Sequence, residues 1–193
     1  MEARTSRIGE EPVAKNEGAA ELLLTERLVL APITAATVEA VMRGDRALAE
    51  ALLEAALPEA WPGAKLIHQG FGASLELVRA DPAKRLWGDR VVMPRGERRV
   101  IGSVIFHGRP DDDGVAEVGY GIEEASRRRG FATEATRACV EWALAQPGVR
   151  AVTATTHPLN LASLRLIEKL GMRFDGCRDG GPLGDLLVFR IDR

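Results

Sequence analysis

What this chain has little of narrows the reading first. Cysteine occurs twice, at Cys139 and Cys177, in no CxxC pair and with no histidine at ligand spacing. A disulfide framework is not expected, and a reducing compartment suits the chain. Cys139 reads as a small buried hydrophobe on a helix. The three histidines, His68, His107 and His157, fall far apart in different predicted elements, so no metal site is expected. No apolar run approaches the roughly 18 residues that a membrane span needs. The opening stretch MEARTSRIGEEPVAKNEGAAE has no apolar segment of the signal-peptide kind, so a cytoplasmic protein without a membrane partner is expected. An excess of one charge is missing too, since 26 Lys and Arg face 28 Asp and Glu for a net charge of −2. Nucleic-acid-binding domains are usually basic and interleave aromatics on the basic face, so a nucleic-acid partner is not expected. Asp111-Asp112-Asp113-Gly114 carries hairpin-turn chemistry rather than the longer alternating pattern of a calcium loop.

The 193 residues are 46% hydrophobic and 28% charged, which suits one globular domain with a full core. Residues 1–20 lack apolar periodicity and read as a disordered tail, leaving a domain over 21–193. In ELLLTERLVLAP, Leu28 and Leu30 alternate with Val29, which predicts a strand ended by Pro32. The Ala- and Leu-rich stretch from Thr34 to Leu57 predicts two short helices broken at Arg43-Gly44-Asp45, the second stopped by Pro58 and Pro62. A further helix is expected over 63–80, ended by Asp81-Pro82. DRVVMP, RRVIGSVIFHG and VAEVGYGI are β-branched segments divided by turn residues, which predicts a three-strand meander.

FATEATRACVEWALAQ then sets Phe131, Ala135, Ala138, Cys139 and Trp142 on one helical face, and Gln146-Pro147-Gly148 ends it. A strand, VRAVTATTH, leads to a helix, NLASLRLIEKLG. Asn160 stands at its N-cap and Gly171 at the glycine position beyond its last turn. MRFDGC and DLLVFRI predict two closing strands. The order β, helices, βββ, α, β, α, ββ implies an α/β domain with a mixed, mostly antiparallel central sheet and helices on both faces.

The stretch SRRRGFATEA concentrates positive charge where a helix begins. A helix N-terminus offers unpaired N–H groups and about half a positive charge, so an anion is held there by several amides at once. Gly130 and Ala132 leave that backbone open to close approach. A solvated charge run is the plainer alternative. Glu134, an acid in the first helical turn, suits the dipole in either case.

Arg127-Arg128-Arg129-Gly130-Phe131-Ala132 fits [Q/R]-x-x-G-x-[G/A] and resembles the pyrophosphate loop of the GNAT superfamily of acyl-CoA N-acyltransferases. TERLVLAP resembles the opening strand of the branch that includes ribosomal-protein N-terminal acetyltransferases. AEVGYGI resembles the central strand before the loop. NLASLRLIEKLGMRFDG resembles the second motif. The likeness runs from about Thr25 to Phe189 in the family's order.

The resemblance implies two strands splayed around the pantetheine of acetyl-CoA, which acts as co-substrate. Pantetheine would meet the backbone near Tyr120, Gly121 and Ile122, and Asn160 would contact it near the thioester. The pyrophosphate would lie on the amides of Arg128, Arg129, Gly130, Ala132 and Thr133, with Arg127 adding charge beside it. Acetyl transfer to an amine by direct attack would follow.

An amine with a pKa near ~10 must lose a proton to attack, and Glu117 is the candidate base, provided burial raises it from the usual ~4.3. Many relatives protonate the thiolate with a Tyr seven residues after the motif's Asn; that position is Ile167 here. Ser163 is the alternative donor. The missing Tyr leaves a second reading open, a catalytically silent acyl-CoA-binding sensor. The acceptor, a protein N-terminus or a small-molecule amine, is not written in the sequence. Residues 34–80 should form much of its site, with Trp61 and Trp87 either lining it or packed in the core. The oligomeric state stays open, a homodimer included.

Overall fold

The computed structural model describes residues 22–59, 75–181 and 184–193. The expectations for the N-terminal tail, Trp61, Pro62, His68 and the first part of the 63–80 helix lie outside those residues.

Alternation sets the sheet. In β2 (Leu28–Pro32), Leu28 and Leu30 are fully buried and Val29 is half-buried. A two-residue strand, β1 (Leu23–Leu24), pairs with it and escaped the sequence reading because two residues show no period. The meander follows as β3 (Arg90–Pro94), β4 (Gly102–Phe106) and β5 (Val115–Ile122), all antiparallel. With β6 (Ala151–Thr156), β7 (Arg173–Asp179) and β8 (Asp185–Asp192), the eight strands run in the order β1-β2-β3-β4-β5-β6-β8-β7. Among the pairs of these described strands, β5–β6 alone is parallel.

Helices cover both faces. α1 (Ala35–Met42) starts on Thr34, whose hydroxyl accepts from the Thr37 amide at 3.2 Å, and α2 (Arg46–Leu53) starts on Asp45, which accepts from Leu48 at 3.0 Å. Gly44, at φ 71°, makes the break between them. α2 does not run to the prolines as expected. Glu54 adopts a left-handed conformation (φ 51°) and returns its amide to Ala51 and Glu50, which closes the helix four residues before Pro58. α3 (Leu75–Ala80) ends where Asp81-Pro82 opens a further short helix, α4 (Pro82–Arg85). Asp81 caps Lys84 at 2.9 Å, and proline suits the first helical position. α5 (Phe131–Ala145) and α6 (Leu161–Leu170) match the sequence reading, with Gly171 left-handed at the end of α6.

On one face, Leu28, Leu30, Val104, Phe106, Ala116, Val118, Val152 and Ala154 pack against Phe131, Ala135, Cys139 and Ala143 of α5 and Leu166, Ile167 and Leu170 of α6. Ala138 and Trp142 sit at the margin of that core, while Thr136 and Val140 are buried in their place. On the other face, Val91 and Val100 pack with Val38, Ala40, Ala49 and Leu53 of α1 and α2. Trp87 meets Phe106 edge-on and Trp142 at a tilt, each with ring centroids 5.0 Å apart, so it packs as an aromatic against the core. A Cβ at Gly102 would fall on the carbonyl oxygen of Gly121, a close strand approach that only glycine permits.

Candidate active site

β5 is paired along its whole outer half with β4, from Val118↔Phe106 to Ile122↔Gly102. Its pairing with β6 stops at Glu117↔Thr153, after three residue pairs, while β6 continues with β8 as far as Thr156. Beyond Glu117 the two strands part. A cavity of about 660 Å³ occupies the parting and reaches the N-termini of α5 and α6.

At one end lies the arginine turn. A 3₁₀ turn (Glu124–Ser126) separates β5 from it, so the strand does not run directly into the loop as expected. Gly130 stands at the N-cap of α5 with φ 82°, no side chain among the described residues caps the helix, and the first turn from Gly130 to Thr133 lines the cavity. Arg128 is left-handed at φ 60°, a conformation that costs a non-glycine residue about 1 kcal/mol or more.

The three arginines differ. Arg127 folds back to donate to the Ile122 carbonyl at 2.9 Å, and Arg129 stacks on Phe131 at 4.7 Å. Arg127 and Arg128 line the cavity and Arg129 does not. Glu134 does more than suit the helix dipole. Its carboxylate accepts from the Thr25 hydroxyl (2.6 Å) and from the Arg27 amide (2.9 Å) and Nε (2.7 Å). Arg27 in turn donates to Arg129 O at 2.9 Å. The β1–β2 turn is thereby tied to the start of α5 and to the loop in front of it.

Tyr120, Gly121, Ile122, Gly130, Ala132, Thr133, Asn160 and Ser163 also line the cavity. Asn160 Oδ1 accepts from the Ser163 amide at 3.2 Å, the capping role its position suggested. The Ser163 hydroxyl is 2.7 Å from the Tyr120 hydroxyl. Burial raises the Tyr120 phenol above its usual value, against the lowering effect of Ser163, so it stays protonated and able to donate.

Glu117 faces the opposite side of the sheet from α5, at the point where β5 and β6 part. Its two oxygens accept from the two terminal nitrogens of Arg178 on β7, each at 3.0 Å, and His107 Nδ1 stands 3.6 Å from Oε2. Burial pushes this carboxyl up, but His107, Arg178 and Thr155 together pull it down to about 2. The rise that a direct base needs is therefore replaced by a fall. Opposite charge outweighs desolvation at this site.

Arg178, His107 and the Tyr120 hydroxyl were not singled out by sequence reasoning. Arg178 lies 61 residues from Glu117, and no local pattern joins them. His107 had a signal, because it follows β4 and falls directly opposite Glu117 in the hairpin. Arg165 and Lys169 of α6 also reach the cavity. Among the described residues no group of three or more His, Cys, Asp or Glu is arranged to hold a metal, and no helix is long and apolar enough to cross a membrane.

Comparison with known proteins places this geometry. Residues 27–173 match the model of the acetyltransferase (GNAT) domain. The uncharacterized N-acetyltransferase YjdG of Bacillus subtilis is 27% identical over 150 residues, which cover 78% of this chain and 88% of that one. The solved structure of a GNAT-family acetyltransferase from Bacillus anthracis superposes with a TM-score of 0.60 at 21% identity, over 89% of this chain and 98% of the other. RimJ of Mycobacterium smegmatis, solved with a CoA-disulfide, gives 0.59 at 20% identity, over 86% and 81%. The two structural likenesses establish the fold.

Proposed function

Because the chain belongs to the acetyltransferase (GNAT) domain family, we propose that it transfers the acetyl group of acetyl-CoA to a primary amine by direct attack. The amine is a protein N-terminus or a small molecule, and the acyltransferase domain spans residues 21–193. The single observation that carries this reading is the parting of β5 from β6 after Glu117↔Thr153, which opens onto the uncapped start of α5.

In this reading the backbone of Tyr120, Gly121 and Ile122 meets the pantetheine arm, since that edge of β5 has no partner from β6. The amides of Arg128, Arg129, Gly130, Ala132 and Thr133 hold the pyrophosphate, with the side chains of Arg127 and Arg128, which line the cavity, supplying positive charge beside it. Asn160 reaches the arm near the thioester. Ser163, hydrogen-bonded to Tyr120, protonates or hydrogen-bonds the departing thiolate. Glu117 supplies the negative charge on the acceptor side, where the amine must shed its proton. The protein acts in the cytoplasm.

The test is thiol release from acetyl-CoA against a panel of polyamines, amino acids, aminoglycosides and N-terminal peptides, with coenzyme A binding measured by calorimetry in the same preparation. Release with one class names the acceptor. Tight coenzyme binding with no release from any class would favour the silent sensor.

A further inference from the structure

The imidazole of His107 occupies a position that the reaction needs and Glu117 cannot fill alone. His107 follows the last residue of β4, and its amide donates to the Glu117 carbonyl at 3.0 Å. Since Phe106 pairs with Val118, His107 stands directly across from Glu117 and on the same face of the hairpin. The next β5 residue on that face is Gly119. A Cβ there would lie 3.5 Å from His107 Nε2, so the ring lies across the bare backbone of this glycine. Nδ1 is turned to the Glu117 carboxylate at 3.6 Å, which leaves Nε2 over Gly119, a residue of the cavity lining. His107 lines the same cavity as Gly119, Tyr120 and Thr155, and its side chain is 53% exposed.

We propose that His107 takes the proton from the attacking amine, and that Glu117 is the positioning residue that orients its ring. The inference rests on the acetyl transfer proposed above. A carboxylate beside Nδ1 favours the tautomer with its proton on Nδ1, which leaves the Nε2 lone pair toward the cavity. As the amine nitrogen bonds to the thioester carbon, its proton passes to Nε2. The carbonyl π pair moves onto oxygen as that bond forms and returns as the C–S bond breaks, and the sulfur leaves with the bonding pair and takes a proton from solvent, directly or relayed through Ser163. The imidazolium that forms lies against a carboxylate held ionised by Arg178, and it returns its proton to solvent after product leaves. Every bond and proton is accounted for without a further reactant.

Other charged groups lie around His107. Arg85 of α4 donates to the His107 carbonyl at 3.2 Å. Asp89, just before β3, is raised to about 7 by burial, against the lowering influence of the Phe106 amide, Arg85, His107 and Arg90. Arg178 sits beyond Glu117 on β7. Of these groups, only Glu117 places its carboxylate beside Nδ1 at an ion-pair distance in the structure.

Long-range 1H–15N correlation of the imidazoles in the coenzyme A complex tests the geometry without any acceptor. His107, assigned by loss of its signals in His107→Gln, is expected as the Nδ1–H tautomer, and Glu117→Gln should shift it toward Nε2–H. A wild-type ring in the Nε2–H form would overturn the proposal, since that nitrogen would have no lone pair to offer. With an amine that the panel identifies, His107→Gln is expected to lower kcat about 100-fold. It should also leave the Kd of coenzyme A within about threefold. Loss of kcat in Glu117→Gln but not in His107→Gln would assign the base to Glu117 instead. Failure of wild-type enzyme with every amine would count against the acetyl transfer, while the tautomer result would still decide the role of His107.

Discussion

Arg178 grips Glu117 with both terminal nitrogens, 3.0 Å from each carboxylate oxygen, and so joins β7 to β5 across the parted end of the sheet. The pair makes acid stability a property of this site. The carboxyl is held at about 2 against an ordinary value of 4.5, because His107, Arg178 and Thr155 outweigh the upward push of burial. Between those values the unfolded chain binds more protons than the native one. Stabilisation is therefore complete above about pH 4.5 and lost as the pH falls toward 2. The shift caps the contribution at about 3 kcal/mol, and screening at the half-exposed Arg178 reduces it to the order of 1 kcal/mol. Glu117→Gln should flatten the change in urea midpoint between pH 5 and 3. An unchanged acid slope would show that other carboxyls govern it.

Glu134 is the clamp between the β1–β2 turn and the loop before α5. Glu134→Ala removes the acceptor for the Thr25 hydroxyl and for both Arg27 donors. A loss of about 1–2 kcal/mol in stability is expected. Coenzyme A should also bind at least several-fold more weakly, because Arg27 then no longer holds the Arg129 carbonyl. Chemical denaturation and calorimetry on the same variant separate the two effects. Full affinity with lowered stability would confine Glu134 to folding.

Gly102 has no room for a side chain. Its β-carbon would meet the Gly121 carbonyl, which is backbone and cannot step aside. Gly102→Ala should cost about 2–3 kcal/mol in urea unfolding and disturb the edge of β5 at Gly121 and Ile122. A variant as stable as wild type would mean that β4 and β5 slide freely there.

Ser163 and Tyr120 act as one unit if their 2.7 Å hydrogen bond carries the proton to the thiolate. Ser163→Ala and Tyr120→Phe should each slow thiol release by no more than ~100-fold, since a thiolate leaves readily. The double variant should fall little further than either single one. Fully multiplicative losses would show independent roles.

Cys139 and Cys177 should separate under a thiol reagent. Cys139 is fully buried, and burial pushes its thiol up to about 12, while Cys177 is exposed. One thiol should react in the native protein and two after unfolding. Rapid double labelling of native protein would mean that α5 opens readily.

Local signals carried the sequence reading where the chemistry itself is local. Asn160, Gly171 and Gly130 announced the ends of α6 and the start of α5 because caps and left-handed turns are decided within a few residues. The alternation of Leu28 and Leu30 with Val29 announced the strand β2, whose two leucines the structure buries. Three features were hidden for a common reason. Glu117 meets Arg178 over 61 residues, Tyr120 meets Ser163 over 43, and Glu134 meets Thr25 over 109. Long-range side-chain pairs leave no period in a single sequence. The pairing of Glu117 reversed the direction of its shift, because a guanidinium supplied from β7 outweighs burial, and only burial could be guessed from the strand. Glu54 misled in another way. A left-handed glutamate carries no helix-stop signature, so the prolines beyond it took its role in the sequence reading.

The half-paired edge of β5 makes turnover a matter of sheet integrity. Among the described residues, the strand from Val118 to Ile122 has neighbours on one side only. If the amide-bearing arm of acetyl-CoA lies there, it serves as a removable ninth strand. Each catalytic cycle then unzips that strand and seats a fresh one, so product departure is a local melting event of the sheet. Folding and saturation become one equilibrium, and a hundredfold excess of coenzyme over its Kd should make the protein harder to unfold by about 2.7 kcal/mol.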